Sequence, residues 1–290
     1  MSFTRILTGN FAAALLALNL SGCTSNLEEF SGIVDTEDKV DLGETAKAKM
    51  VTELVPYEFT NQKINAQWFS CSAGAKEYAL LINMDARAFG ENLCTTPVAQ
   101  AFLQNKINVV AFNRPGYGKS VGKDDFSGPL TQYALTETFP KFVEKVAPDE
   151  KLAFVWAQGS GTIAAGFFSK GKTLKKLILA SGVYDVERTA LDTTDAGIKK
   201  RLEDMKAVEA EEGYEVRSLA WDFSDLPKTI FLYHGNSDTT FPASQASAFR
   251  DGLATQEYSV DLVLVKNKKH NLTPSDHFQI LTRVLQEPKK

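Results

Sequence analysis

Residues 151–168 read KLAFVWAQGSGTIAAGFF. An apolar run rich in Val, Phe and Trp stops at Gln158, a Gly-Ser-Gly turn follows, and an Ala-studded apolar stretch begins at once. The pattern predicts a strand, a sharp turn and a helix. Such a turn can hold a nucleophile at its apex, provided the residues two before and two after are small enough for the chain to double back. Ser160 is the obvious candidate. With the apex at Ser160 the flanking residues are Gln158 and Thr162, whereas with the apex at Gly159 they are Ala157 and Gly161. The second frame satisfies the packing requirement better, and it has no hydroxyl at its apex.

The strands and helices around this turn follow one pitch. Residues 50–60 and 64–70 are predicted as two strands joined at Asn61-Gln62-Lys63. Residues 77–83 and 107–112 are short, continuously apolar strands of the buried, central kind, with helical spacing over 97–106 between them. Further strands are expected over 174–181, 229–233 and 261–265. This alternation predicts a mostly parallel central sheet with helices on both faces.

The N-terminal part is of another kind. Residues 1–22 carry Arg5 as their one charge, followed by an apolar core too short for an ordinary transmembrane helix, which reads as an export signal. It ends Leu20-Ser21-Gly22-Cys23, which resembles the lipobox of bacterial lipoproteins; the resemblance implies a lipid anchor on Cys23, the alternative being an ordinary cleaved signal with a stray cysteine. Thr24, in place of Asp, implies the outer membrane by the same resemblance. Residues 24–48 are polar and acidic with few periodic apolar positions, so residues 23–48 are expected to be a flexible tether ahead of one domain over 49–290.

Loss of the signal takes the formal charge from -4 to -5, and nothing basic favours nucleic acid. With 43% apolar residues the remainder suits one large α/β domain. Cys71 and Cys94 remain after processing, and in an oxidising compartment they can close one disulfide or stay as two buried thiols. Three histidines in all, with no paired His or Cys at ligand spacing, give no support to a metal site, and no cofactor motif is present.

The stretch VVAFNRPGYGKS at residues 109–120, the turn at 158–162, the strand at 174–181 and the strand with its loop at 229–242 together resemble the α/β-hydrolase family, over residues 50–287. The resemblance implies that Asp238 is the acid and His270 the base of a triad, in the chain order nucleophile, acid, base. Asp238 also suits a turn residue bonded to its own loop, His277 is expected at the surface and His234 in a structural role. The charged helical segment at about 186–226 stands where the family inserts a cap, and it reads equally as a solvated excursion. The backbone N–H groups of Gly161 and, after the third strand, Met84 are the candidate oxyanion donors. Asn83-Met84-Asp85 stands where the family often has His-Gly, so the second donor lacks the glycine that adopts unusual backbone angles most easily.

Three readings of Ser160 are therefore open: nucleophile of a shifted elbow, first residue past an empty apex, or helix N-cap. They lead to two functions. One is an ester or amide hydrolase acting through Ser160, His270 and Asp238 on a small-molecule or peptide substrate. The other is a degenerate hydrolase-fold protein, with Gly159 at the apex, that binds a ligand without turnover.

Overall fold

The computed structural model describes residues 32–37, 41–83 and 87–286. Cys23 and the signal segment, together with Met84, lie outside the described residues.

Strands β1 (Gly32–Val34), β2 (Lys49–Phe59), β3 (Gln62–Ser72), β4 (Glu77–Ile82), β5 (Asn108–Asn113), β6 (Lys151–Gln158), β7 (Lys176–Ala180), β8 (Thr229–Gly235) and β9 (Ser259–Val265) form, among the described residues, one sheet in the order β1-β9-β8-β7-β6-β4-β5-β3-β2. The β2–β3 hairpin turns through Thr60 and Asn61, both with positive φ, and pairs antiparallel to the rest through β5. The other pairings are parallel.

Period-two alternation divides the apolar strand residues between two cores. Val155 and Ala157 of β6 pack in one, Phe154 and Trp156 in the other; Leu177 and Leu179 oppose Ile178 and Ala180 in β7, and Ile230 and Leu232 oppose Phe231 and Tyr233 in β8. Both faces are apolar, so both need helices. Helices α2 (Pro129–Val146), α3 (Gly161–Ser169) and α7 (Ser244–Ala254) cover the first core; α1 (Pro97–Gln104) and α8 (Pro274–Leu285) cover the second. The last two begin at built stops. Thr96 caps Pro97, and Thr273 with Asp276 forms a reciprocal capping box ahead of Pro274.

Between β7 and β8 the chain leaves the sheet as α4 (Val186–Asp192), α5 (Ala196–Glu209) and α6 (Glu212–Glu215). These helices close over a third, smaller core of Phe126, Ile163, Val183, Val186, Leu202, Tyr214 and Phe241. Burial of each such side chain contributes roughly 1.5–3 kcal/mol, which holds the excursion to the domain through Val186, Leu202 and Tyr214 while most of α5 faces solvent.

Part of the stretch expected to be tether lies against the domain. β1 extends the sheet edge parallel to β9, Ala46 exchanges hydrogen bonds with the Gln100 side chain at 2.8 and 3.1 Å, and Gln104 Nε2 donates to the Leu42 carbonyl at 2.8 Å. Leu42, Ala46 and Ala48 pack on the second core.

Candidate active site

At the end of β6 the chain turns through Gly159, whose φ is +62°. Side-chain-bearing residues rarely adopt this left-handed backbone, and glycine takes it without steric cost. The Gly159 N–H donates to the Ala180 carbonyl at 3.0 Å, fixing the turn against β7. Ser160 then has φ -64° and ψ -19°, and α3 starts at Gly161. A Cβ on Gly161 would lie 2.9 Å from the Asn83 carbonyl oxygen, so the close approach of helix to strand end requires glycine there. The apex is Gly159, flanked by the small Ala157 and Gly161, and Ser160 lies one residue beyond it. Ser160 makes no side-chain cap bond to α3.

Asp238 and His270 are joined. Asp238 Oδ2 lies 2.9 Å from His270 Nδ1 and 3.0 Å from His234 Nε2, while its Oδ1 accepts the N–H groups of Thr240 and Phe241 at 2.8 and 3.0 Å. Burial alone would raise this carboxyl; the bonds to His234 and His270 outweigh it and hold the group at about 2. An ionised carboxylate only accepts, so His270 donates to it from Nδ1–H. His234 Nε2 also lies 2.7 Å from the Phe241 carbonyl, which closes the loop beneath the pair. The Phe241 ring meets His270 edge-on at 4.6 Å.

Ser160 belongs to a different network. Its Oγ accepts from Arg114 Nη1 at 2.8 Å, and the same nitrogen donates to Ser127 Oγ at 2.8 Å. Arg114, Ser127 and Ser160 are fully buried. The Arg114 backbone N–H is held by Asn83 Oδ1 at 2.7 Å, Asp124 stands 4.0 Å from its guanidinium, and the Tyr117 ring lies under it at 4.7 Å. Among the described residues, Ser160 Oγ is bonded to Arg114 and not to His270.

The helical excursion between β7 and β8 is tied to the loop that carries this network. Arg201 pairs with Asp124 at 3.0 Å, and buried Arg217 bonds the Asp125 carbonyl at 3.0 Å and Glu209 at 2.7 Å. Phe126 and Ser127, with φ of +56° and +58°, carry left-handed strain in the loop beneath. Burial of both residues holds that conformation.

Arg114 escaped the sequence reading because it sits inside a Gly/Pro-rich turn and its partners are remote. His277, expected at the surface, is buried in the first turn of α8, where Tyr233 Oη bonds its Nδ1 at 2.9 Å. The helix turns this residue toward Trp156 of the sheet. Cys71 and Cys94 are disulfide-bonded, tying β3 to the turn before α1. Among the described residues, no group of three or more His, Cys, Asp or Glu is arranged to hold a metal ion.

Residues 155–286 match the prolyl oligopeptidase family model, from the middle of β6 to the end of the described chain. Solved structures similar to this one include an esterase of Pyrococcus furiosus (17% identity, TM-score 0.58, covering 82% of this chain and 90% of that one). A puromycin-hydrolysing peptidase of Mycobacterium tuberculosis matches with 15% identity and TM-score 0.65, over 85% of this chain and 40% of that one. The acylaminoacyl peptidase of Pyrococcus horikoshii matches with 12% identity and TM-score 0.62, over 83% and 41%. The chain thus spans about two fifths of these peptidases and nearly the whole esterase. No curated protein sequence matches it. The chain has the α/β-hydrolase fold.

Proposed function

We propose that this protein is a hydrolase-fold binding protein without the acyl-transfer step, carried at the cell envelope by a lipid on Cys23. The observation that carries this reading is the turn itself. Gly159 holds the left-handed apex, where no side chain exists to attack a carbonyl, and the hydroxyl of Ser160 is turned into the Arg114 pair. The ligand class suggested by the esterase and peptidase neighbours is an ester-, amide- or peptide-bearing molecule. Fold alone does not specify an activity, so the residues of the turn carry the argument. Exposure of the purified protein to a fluorophosphonate, with mapping of any modified residue, tests it: no adduct supports binding without turnover, and an adduct on Ser160 overturns it.

A second reading is favoured by the oriented His270–Asp238 pair, which a pure binding site does not need. In it, Ser160 Oγ leaves Arg114 and attacks an ester or amide carbonyl. His270 Nε2 takes its proton and returns one to the leaving group, and Asp238 stabilises the imidazolium. The backbone N–H of Gly161 faces the developing oxyanion.

A further inference from the structure

On the α1/α8 face of the sheet there is a cavity of about 400 Å³ whose walls include Phe89, Leu93, Val98, Trp156, Leu272 and His277. It lies apart from the elbow, because Trp156 points to the opposite face from Ala157 and α3.

A relay of hydrogen bonds sets the chemistry of its floor. Trp156 Nε1 can only donate, and it donates to Tyr233 Oη at 2.7 Å. The Tyr233 hydroxyl thereby has its own proton for His277 Nδ1, 2.9 Å away. Burial, opposed by Asp276 and aided by Arg87, pulls the His277 imidazole down to about 4, so the ring is neutral at physiological pH. With Nδ1 accepting, the ring proton sits on Nε2. That N–H has no partner among the described residues, and His277 is only 1% exposed. Tyr233 holds the Nδ1 edge and is not part of the wall, so His277 presents its Nε2 side to the cavity. A buried donor without an acceptor costs roughly 1–3 kcal/mol, which an occupant supplying an oxygen removes.

Among the described residues, the charge around the cavity has one sign. Arg87 stands in its wall, Pro97 and Val98 bring the positive end of α1 to it, and Pro274 and His277 bring that of α8. Among the described residues, no Asp or Glu lines it. Asp276, in the first turn of α8, is directed instead to Thr36, Thr273 and Lys268.

We infer that this cavity is a binding site for a small monocarboxylate with an aromatic or aliphatic body, the carboxylate accepting from His277 Nε2–H beside Arg87 and the body lying against Trp156, Leu93 and Val98. The site does not depend on whether the elbow supports turnover.

The test is calorimetric titration of the full chain with 4-phenylbutyrate and, as the isosteric control, 4-phenylbutan-1-ol, alongside NMR of the ¹⁵N-histidine-labelled protein. Phenylbutyrate should bind roughly tenfold or more tightly than the alcohol, and Arg87→Gln and His277→Phe should each remove most of that preference. Val98→Phe, which fills the cavity and leaves both polar groups in place, should abolish binding of either compound; it also serves if His277→Phe fails to fold. His277 should show the Nε2–H tautomer, with that proton shifting downfield on addition of phenylbutyrate. Equal affinity for acid and alcohol, binding of neither, binding unchanged in Val98→Phe, or an Nδ1–H tautomer would each overturn the assignment.

Discussion

Arg114 Nη1 donates to Ser160 Oγ at 2.8 Å, and both residues are fully buried. A hydroxyl at the mouth of a hydrolase elbow is here an acceptor for a guanidinium. Removing it has a structural cost before any catalytic one. Ser160→Ala leaves Ser127 as the remaining hydroxyl acceptor of Nη1 and is expected to destabilise by about 1 kcal/mol. Thermal melting of the variant measures this.

Moving the hydroxyl separates the two readings of the elbow. Gly159→Ser places an oxygen at the apex with φ near +62°, at a strain cost of about 1–3 kcal/mol. If the apex is empty in the native protein, this variant gains hydrolysis of p-nitrophenyl acetate, the gain vanishes with His270→Ala, and Ser160→Ala alone changes nothing. Lack of the second oxyanion donor, expected at Met84, would limit the gain by about a hundredfold or more. Loss of native esterase activity in Ser160→Ala would instead make Ser160 the nucleophile.

Acid should weaken the fold in two stages. His277 is held at about 4, below its ordinary 6.5, so the unfolded chain binds a proton that the folded one refuses; its contribution is complete above pH 6.5 and is lost on descent toward pH 4. Asp238, held at about 2 against an ordinary 3.8, contributes above pH 3.8 on the order of 2 kcal/mol, lost between pH 3.8 and 2. Denaturant titrations at stepped pH should show both windows. Asp238→Asn should flatten only the lower one.

The contacts of Arg217 predict a local effect. Arg217→Ala removes the bonds to the Asp125 carbonyl and to Glu209, at a cost of about 1–3 kcal/mol. Hydrogen exchange should accelerate over α5 and α6 while β6 and β7 stay protected. Uniform acceleration across the sheet would mean that the excursion is not a separate unit.

Reduction of the Cys71–Cys94 bond, which spans 23 positions, should lower stability by about 3 kcal/mol in the chain-entropy account. Melting with and without reductant measures it. Thiol titration of protein trapped at lysis should find neither cysteine reactive.

Anchoring is tested by growth with a clickable fatty acid. The wild type should take up label and fractionate with membranes, and Cys23→Ala should do neither, since acyl chains supply the anchoring free energy. Equal labelling of both would exclude Cys23 as the lipidated residue.

The sheet, its covered faces and the position of the elbow were legible from sequence, because they depend on patterns a few residues long. Apolar runs mark buried strands, and the paired small residues Ala157 and Gly161 mark a tight strand-to-helix turn around Gly159. Asp238 and His270 were singled out by resemblance and chain order, and the fold brings their side chains together. What the sequence alone left open were contacts between distant positions. Ser160 meets Arg114 46 residues away and Asp238 meets His270 32 away, and nothing local announces either contact. His277 shows the same limit: half a turn of helix separates surface from core, and only the packing of α8 on the sheet decided that its ring would be buried against Trp156 and Tyr233. Residues 41–48 lay beyond periodicity too, because the Gln100 and Gln104 side chains, not a repeating apolar face, hold that segment down. Backbone conformation and strand burial follow from near neighbours in the chain; the bonding partner of a buried polar group is set by whatever the completed fold brings beside it.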